Sequence, residues 1–389
     1  MPEAGVMADA ASALFEERDT RSGMCVGVAT LNSPKRLNGL SFDMVTLLLA
    51  RLSAWAADPR VAAVVLHGAG DKAFSAGGDL HSLYRGILEQ RAAGTREPSA
   101  NRFASEFFKT EYQLDYLIHR YPKPVLCWGH GIVMGGGVGL MVGASHRVVT
   151  ESSRVAMPEI AIGLFPDVGA SWFLPRVPGH GGRFMALTGA QLNAADAIFA
   201  GLADVHIRVD ARDRVFMALE TAPWNADPME NRRVLSGVLR EFAEPNPVAG
   251  PLQQHLPAIR AACGRDTVDD AAEAIVRLPQ TMERENSWIG AAIATLRAGS
   301  PATARLAWEL QARAKLLSLA DAFRLEHTVA LHCAAQGDLA EGIRALLIDK
   351  DHKPKWQHAS LQQATASWAE AYFVPPWPNP PLAQLGNTP

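Results

Sequence analysis

VLCWGHGIVMGGGVGLMVG, Val125 to Gly143, decides the fold. Introduced by Pro122 and Pro124, VLCWGHG reads as a buried strand, and the glycine run GGGVG opens an apolar helix. HRVVTE, from His146, makes another short strand. Glycine costs roughly 1 kcal/mol relative to alanine inside a helix, so consecutive glycines fit a place where backbone bends sharply or approaches something closely. A helix N-terminus with bare amides is one such place; close packing against a neighbouring helix is another.

The same alternation extends upstream. CVGVATL from Cys25 reads as a strand, FDMVTLLLARLSAWAAD as an amphipathic helix ended by Asp58-Pro59, and VAAVVLHGAG as a strand followed by a glycine turn. ASEFFKTEYQLDYLIHR continues as helix. Strands alternating with helices imply βαβ crossovers and a mainly parallel sheet, an α/β core. From about Asp196 the pattern is helix without clear strands, as in TVDDAAEAIVRL, TARLAWELQARAKLL and LADAFRLEHTVALHCAA. The expected organisation is an N-terminal extension over 1–22, the core over 23–205, a helical region over 206–372 and a proline-rich tail over 373–389. The boundary falls in a zone with loop signals at both ends, NADPMENRRVL and EPNPVAGPL, and VPPWPNPPL marks the tail as extended rather than folded.

With hydrophobic residues at 48% and charged residues at 20% over 389 residues, the composition suits a globular enzyme rather than a disordered chain. A net charge of -3 without a basic run argues against nucleic acid and against an anionic membrane surface. No stretch reaches the roughly 18 apolar residues of a transmembrane helix, and MPEAGVMADAASALFEERD has neither the charge nor the apolar core of a signal peptide. Cys25, Cys127, Cys263 and Cys333 are widely spaced, which fits structural thiols in a reducing compartment and a cytoplasmic location.

Two further glycine turns stand out. GAGDKA (Gly68 to Ala73) fits a dinucleotide fingerprint in spacing, but a second turn, FSAGGD, replaces the helix on which a pyrophosphate would sit. In SAGGDL the double glycine turns tightly, Asp79 suits an N-cap, and LHSLYRGILEQ continues as helix. Amides from this turn and from the GGG turn, held on a rigid core, can form an oxyanion hole for a carbonyl that becomes tetrahedral or enolate-like. Acyl chemistry is therefore the leading class. In MPEIAIGLFPDVG (Met157 to Gly169), Glu159 and Asp167 each follow a proline that fixes φ, and an almost wholly apolar run separates them. A carboxylate beside such a wall has a raised pKa and a less solvated, more reactive anion.

HGIVMGGGVGL, KAFSAGGDL, PEIAIGLFPDVGASWFLPRVPG and EGIRALLIDKDHKPKW together resemble the crotonase (enoyl-CoA hydratase/isomerase) superfamily, and within it the 3-hydroxyisobutyryl-CoA hydrolases. The likeness runs in segments from about Cys25 to Trp356. It implies a crotonase-like spiral of ββα units with a helical C-terminal region, an acyl-CoA substrate and a place in valine catabolism. By position, Gly78 and Gly136 would supply the oxyanion-hole amides. LNGL (Leu37, Asn38, Gly39, Leu40) matches the family's stretch near the coenzyme A adenine and pantetheine, with Arg36 nearby as a phosphate contact and Ala76 among the substrate-binding residues, and Glu111 would stand at the substrate. Hydratases of the superfamily use a second glutamate where this chain has Gly139, a departure shared with the hydrolases, which also carry the aspartate matching Asp167. Thioester hydrolysis follows as the expectation, with Glu159 as nucleophile or general base and Asp167 orienting the 3-hydroxyl or Glu159.

The competing readings are an enoyl-CoA hydratase or isomerase and a non-catalytic acyl-CoA binding protein. Coenzyme A belongs to the substrate, so no separate cofactor is expected, and His81, His130 and His327 show no metal-binding spacing. Crotonases often form homo-oligomers through C-terminal helices; here the longer helical half either does the same or covers its own site.

Overall fold

The computed structural model describes residues 11–245, 248–278 and 287–386. Residues 1–10 of the expected extension, 246–247 of the boundary loop and 387–389 of the tail lie outside the described residues.

The chain builds two sheets at once. Strands β1 (Ala13–Asp19), β2 (Cys25–Leu31), β3 (Val61–Gly68), β5 (Val125–Gly129), β7 (His146–Val149) and β9 (Val205–His206) form a six-stranded sheet in the order β1-β2-β3-β5-β7-β9. Only β1 runs antiparallel, pairing Ala13 with Leu31 through Asp19 with Cys25; the other neighbours are parallel. Between them, β4 (Ala73–Ser75), β6 (Ile132–Met134) and β8 (Arg154–Ala156) form a second, parallel sheet in the order β4-β6-β8. Each turn of the spiral gives one strand to the large sheet, the next to the small one, and then a helical segment. β3 and β4 lead to helix α2 (Leu80–Ala92), β5 and β6 to α4 (Gly136–Gly143), and β7 and β8 to the short 3-10 turn Glu159–Ile162.

Local chemistry sets the helices. Before α1 (Phe42–Ala57), the Ser41 hydroxyl accepts from Met44 N at 3.1 Å, and Met44, Val45, Leu48, Leu52 and Trp55 face the core at helical spacing. Asp79 caps α2 as its sequence position suggests, accepting from Ser82 N at 3.2 Å. Helix α3 (Arg102–His119), capped by Asn101, buries Phe107, Phe108, Tyr112 and Leu114, and on the same hidden surface Glu111 and Asp115. Fully burying each of the large apolar side chains contributes roughly 1.5–3 kcal/mol, whereas an unpaired carboxyl there is costly.

The helical half packs against this core. Helix Leu319–Gln336 lies against α2 and α3, and helix Pro301–Ala314 against α5 (Ala170–Phe173). Two readings change. The stretch beyond Asp196 is not wholly helical, since Val205–His206 joins the large sheet beside β7; a two-residue strand is too short to show a period of two. The proline-rich tail lacks a long element but is packed. Leu382 is buried, Trp377 meets His327 at 5.1 Å between ring centroids, and Arg324 donates to the Leu382 carbonyl at 3.1 Å.

Candidate active site

The three parallel strands of the small sheet end at one place. Past Ser75 the chain turns through Gly77 and Gly78, past Met134 through Gly135 and Gly136, and past Ala156 through Pro158 to Glu159. Carboxyl ends of parallel strands are where α/β sheets place their ligands. Gly77 and Gly135 have φ of +95° and +51°, and a Cβ on Gly77 would lie 3.1 Å from Met134 O and 3.5 Å from Gly136 N, so the two turns touch. The side chain of Ser75 braces the first turn by accepting from Gly77 N at 3.2 Å.

The LNGL segment is stitched to the same turn. Ala76 N donates to Leu37 O at 3.0 Å, Leu40 N to Gly77 O at 2.8 Å and Asp79 N to Leu40 O at 3.0 Å. Asn38, fully buried with φ of +53°, accepts from Ser33 N and donates to the carbonyls of Ala69 and Ala73, so its side chain is used up in holding the turn. Leu40 reaches the second turn, its Cδ1 lying 2.9 Å from where a Gly136 Cβ would sit. Leu37, Asn38, Leu40 and Ala76 are thus gathered beside Gly78 and Gly136, while Arg36 ends a 3-10 turn on the exposed surface. Among the described residues, no group accepts a hydrogen bond from Gly78 N or Gly136 N.

Around these open amides stand carboxyl groups with little to pair with. Glu111 Oε1 lies 2.5 Å from where a Gly136 Cβ would be, and Glu159 Oε1 3.2 Å from the equivalent point on Gly135. Glu111 Oε1, Glu159 Oε2 and both oxygens of Asp115 are buried with no hydrogen-bond partner. Burial first, and then the charge of Asp167, push Glu111 and Glu159 well above the usual carboxylate range. Asp115 is raised by burial and then by Glu111, Asp167 and Glu326. Asp167 is raised by burial to about 6 only, because the Tyr112 hydroxyl donates to its Oδ2 at 2.8 Å and holds it down.

Gly139 narrows where a further acid could stand. A Cβ there would stand 2.6 Å from Val168 Cβ and 3.1 Å from Asp115 Oδ1, so Val168 already fills the space a side chain would need. At Gly139 itself an acidic side chain is absent from the sequence, and one placed there would displace Val168. A desolvated glutamate beside two bare amides, as Glu159 and Glu111 both are, can attack, or activate water against, a carbonyl whose oxygen the amides hold.

Sequence reasoning missed Tyr112, Asp115 and Glu326. Asp115 follows Glu111 by one helical turn, a signal visible in the spacing, but a carboxylate pair on a helix normally reads as a solvated face. His81 is exposed, and His130 and His327 bond to the carbonyls of Gly70 and Ser105, as structural or surface histidines would.

The family model for enoyl-CoA hydratase/isomerase matches residues 26–373. The chain is 36% identical to "Probable 3-hydroxyisobutyryl-CoA hydrolase 2" of Arabidopsis thaliana, over 94% of this chain and 92% of that protein. It is 33% identical to "3-hydroxyisobutyryl-CoA hydrolase, mitochondrial" of Homo sapiens, over 90% and 86%. A solved structure described as a carnitinyl-CoA dehydratase from Mycobacterium thermoresistibile superposes with a TM-score of 0.80 at 36% identity, covering 94% of this chain and 96% of that one. One described as an enoyl-CoA hydratase from Rhodobacter sphaeroides 2.4.1 gives 0.75 at 32% identity, covering 93% and 97%.

Proposed function

The chain belongs to the enoyl-CoA hydratase/isomerase family, and on that premise we propose that it is a hydrolase of 3-hydroxyacyl-CoA thioesters, with 3-hydroxyisobutyryl-CoA as substrate. The observation that carries this reading is the pairing of open Gly78 and Gly136 amides with the desolvated Glu159, beside a second buried glutamate, Glu111, on α3, while Val168 occupies the room beside Gly139 on α4. The hydrolase names of the relatives support it. The hydratase and dehydratase titles of the solved structures belong to chemistry that adds or removes water across a double bond, for which this chain lacks an acid on α4.

In the proposed reaction the thioester oxygen sits between the two amides, whose donors are aimed at the charge that develops there. By one route the Glu159 carboxylate attacks the carbonyl carbon, the C–S bond breaks, and coenzyme A leaves as thiolate. Water then hydrolyses the mixed anhydride. By the other route Glu159 takes a proton from water as the water attacks, and the same C–S bond breaks. Asp167 holds the 3-hydroxyl or Glu159, and Glu111 lines the acyl end. A site built around a hydroxyl rejects acyl groups that lack it, because its own polar groups are then left unpaired.

Coenzyme A enters as part of the substrate, with no other cofactor in the proposal. The same reading assigns the reaction to valine catabolism. A cytoplasmic location is proposed on the buried free thiols of Cys25, Cys127, Cys263 and Cys333; the names of the human and Xenopus relatives place those proteins in mitochondria, and cell fractionation decides between the two. The homo-oligomer implied by the family is tested by light scattering. The reaction is tested by free-thiol release from 3-hydroxyisobutyryl-CoA, crotonyl-CoA and acetyl-CoA, with wild type and Glu159→Gln. Release confined to the 3-hydroxyacyl thioester and abolished by the substitution is the expected result; no release from any of them overturns the proposal.

A further inference from the structure

Asp167 lies at the start of a turn that its own sequence disfavours. Ala170 N donates to Asp167 O at 2.8 Å, and the two central residues, Val168 and Gly169, have φ of +51° and +89°. This is the mirror-image turn that asks for positive φ at both positions. Glycine accepts that conformation, but a β-branched valine there is a genuine outlier, at a cost of about 1–2 kcal/mol. Such a turn persists only where its surroundings over-determine it.

The surroundings come from the other half of the molecule. Glu326, on helix Leu319–Gln336, is fully buried. Its Oε2 accepts from Gly169 N at 2.7 Å and its Oε1 from Ser171 N at 2.8 Å and from the Ser171 hydroxyl. One turn earlier on that helix, the Phe323 ring packs 3.1 Å from where a Gly169 Cβ would sit, and its centroid is 5.6 Å from that of Tyr112, the residue bonded to Asp167. Burial pushes Glu326 up to about 8, with the Ser171 hydroxyl and the Gly169 amide opposing the rise. An apolar side chain would be cheaper to bury than a carboxyl. What the carboxyl adds is a fixed acceptor for the donors that follow Asp167.

We propose that Glu326 is a positioning residue for this site, fastening the Asp167–Ala170 turn from the helical half and so fixing where the Asp167 carboxylate points. The proposal rests on the hydrolase reading for its consequence in catalysis, and on the hydrogen bonds alone for the clamp itself. It gives the helical region a part in catalysis without contact with substrate.

The test is a double-mutant cycle with a structural readout. Glu326→Gln keeps the volume but sets an amide group against the Gly169 and Ser171 donors. It is expected to lower kcat about tenfold or more with KM nearly unchanged, since displacing a reacting group by an ångström costs up to about a hundredfold. In Asp167→Asn/Glu326→Gln the losses should not multiply, because both act through the same carboxylate. Hydrogen–deuterium exchange should be faster at Gly169 and Ser171 in Glu326→Gln, while α1 is unaffected. Ser171→Ala, which removes only one donor, should show the same signature at smaller size if Glu326→Gln does not fold. Losses that multiply, or a lowered Tm with unchanged kcat, overturn the positioning role. If wild type releases no thiol, the hydrolase reading fails, and exchange alone decides the clamp: faster exchange upholds it and unchanged exchange overturns it.

Discussion

Two kinds of turn meet at this site and are finished in opposite ways. The glycine turns leave the amides of Gly78 and Gly136 without acceptors, whereas the Val168–Gly169 turn gives the amides of Gly169 and Ser171 to Glu326. An unpaired donor in a desolvated pocket is costly unless something occupies it, which is why the proposed reaction places the substrate oxygen at the glycine turns. A satisfied donor fixes geometry, and that is what the valine turn contributes. The glycine turns rise directly from the strands of the small sheet, while the valine turn depends on a helix more than 150 residues away in sequence.

The comparison breaks most visibly at Glu159. If open amides and one carboxylate carry the reaction, Glu159→Gln should lower kcat by about 10²–10⁴-fold with the fold intact, as expected when a general base is lost. A residual rate within tenfold of wild type would mean that another group does the chemistry. Closing the open side comes next. Gly136→Ala would set a methyl 2.5 Å from Glu111 Oε1 and 2.9 Å from Leu40 Cδ1, so the turn must shift. A loss of about 10²–10³-fold in kcat is expected, comparable to removing an oxyanion donor, with thermal melting as the control for folding.

On the satisfied side the effects are smaller and appear in pH profiles. Because burial holds Asp167 near 6 and Glu159 above the usual carboxylate range, kcat/KM should rise with pH across a limb at or above about 6. The Tyr112 hydroxyl stabilises the charged form of Asp167, so Tyr112→Phe should move that limb to higher pH. A limb that stays in place would detach Asp167 from the reaction.

Asp115 provides the mildest test. Its folded pKa is raised above the unfolded value, so the folded state holds the proton more tightly. Stability from this group is present at low pH and is lost as pH rises through the folded pKa. Asp115→Asn removes that loss, so Tm should increase relative to wild type at about pH 8 and differ little at about pH 4. An equal shift at both pH values would assign the effect to packing instead.

How far the sequence could be read follows the same division. Backbone features leave strong marks: consecutive glycines after a strand, an aspartate N-cap before α2, prolines before Glu159 and Asp167. Each is a local requirement met by a local residue, and the α/β core with its helical continuation could be read from them. Glu326 could not, because LADAFRLEHTVALHCAA shows a glutamate on a helix and nothing in its neighbours tells a solvated face from a buried clamp. Asp115 was hidden by the same ambiguity. Val205–His206 was missed for its length, and the tail because proline-rich composition says nothing of Trp377 packing against His327.

The most direct measurement of the central claim sets two reactions side by side on one enzyme preparation: thiol release from 3-hydroxyisobutyryl-CoA and loss of the crotonyl-CoA double bond. With Val168 in the space beside Gly139, the predicted result is rapid thiol release and no hydration. Hydration of crotonyl-CoA without thiol release from either thioester would contradict it.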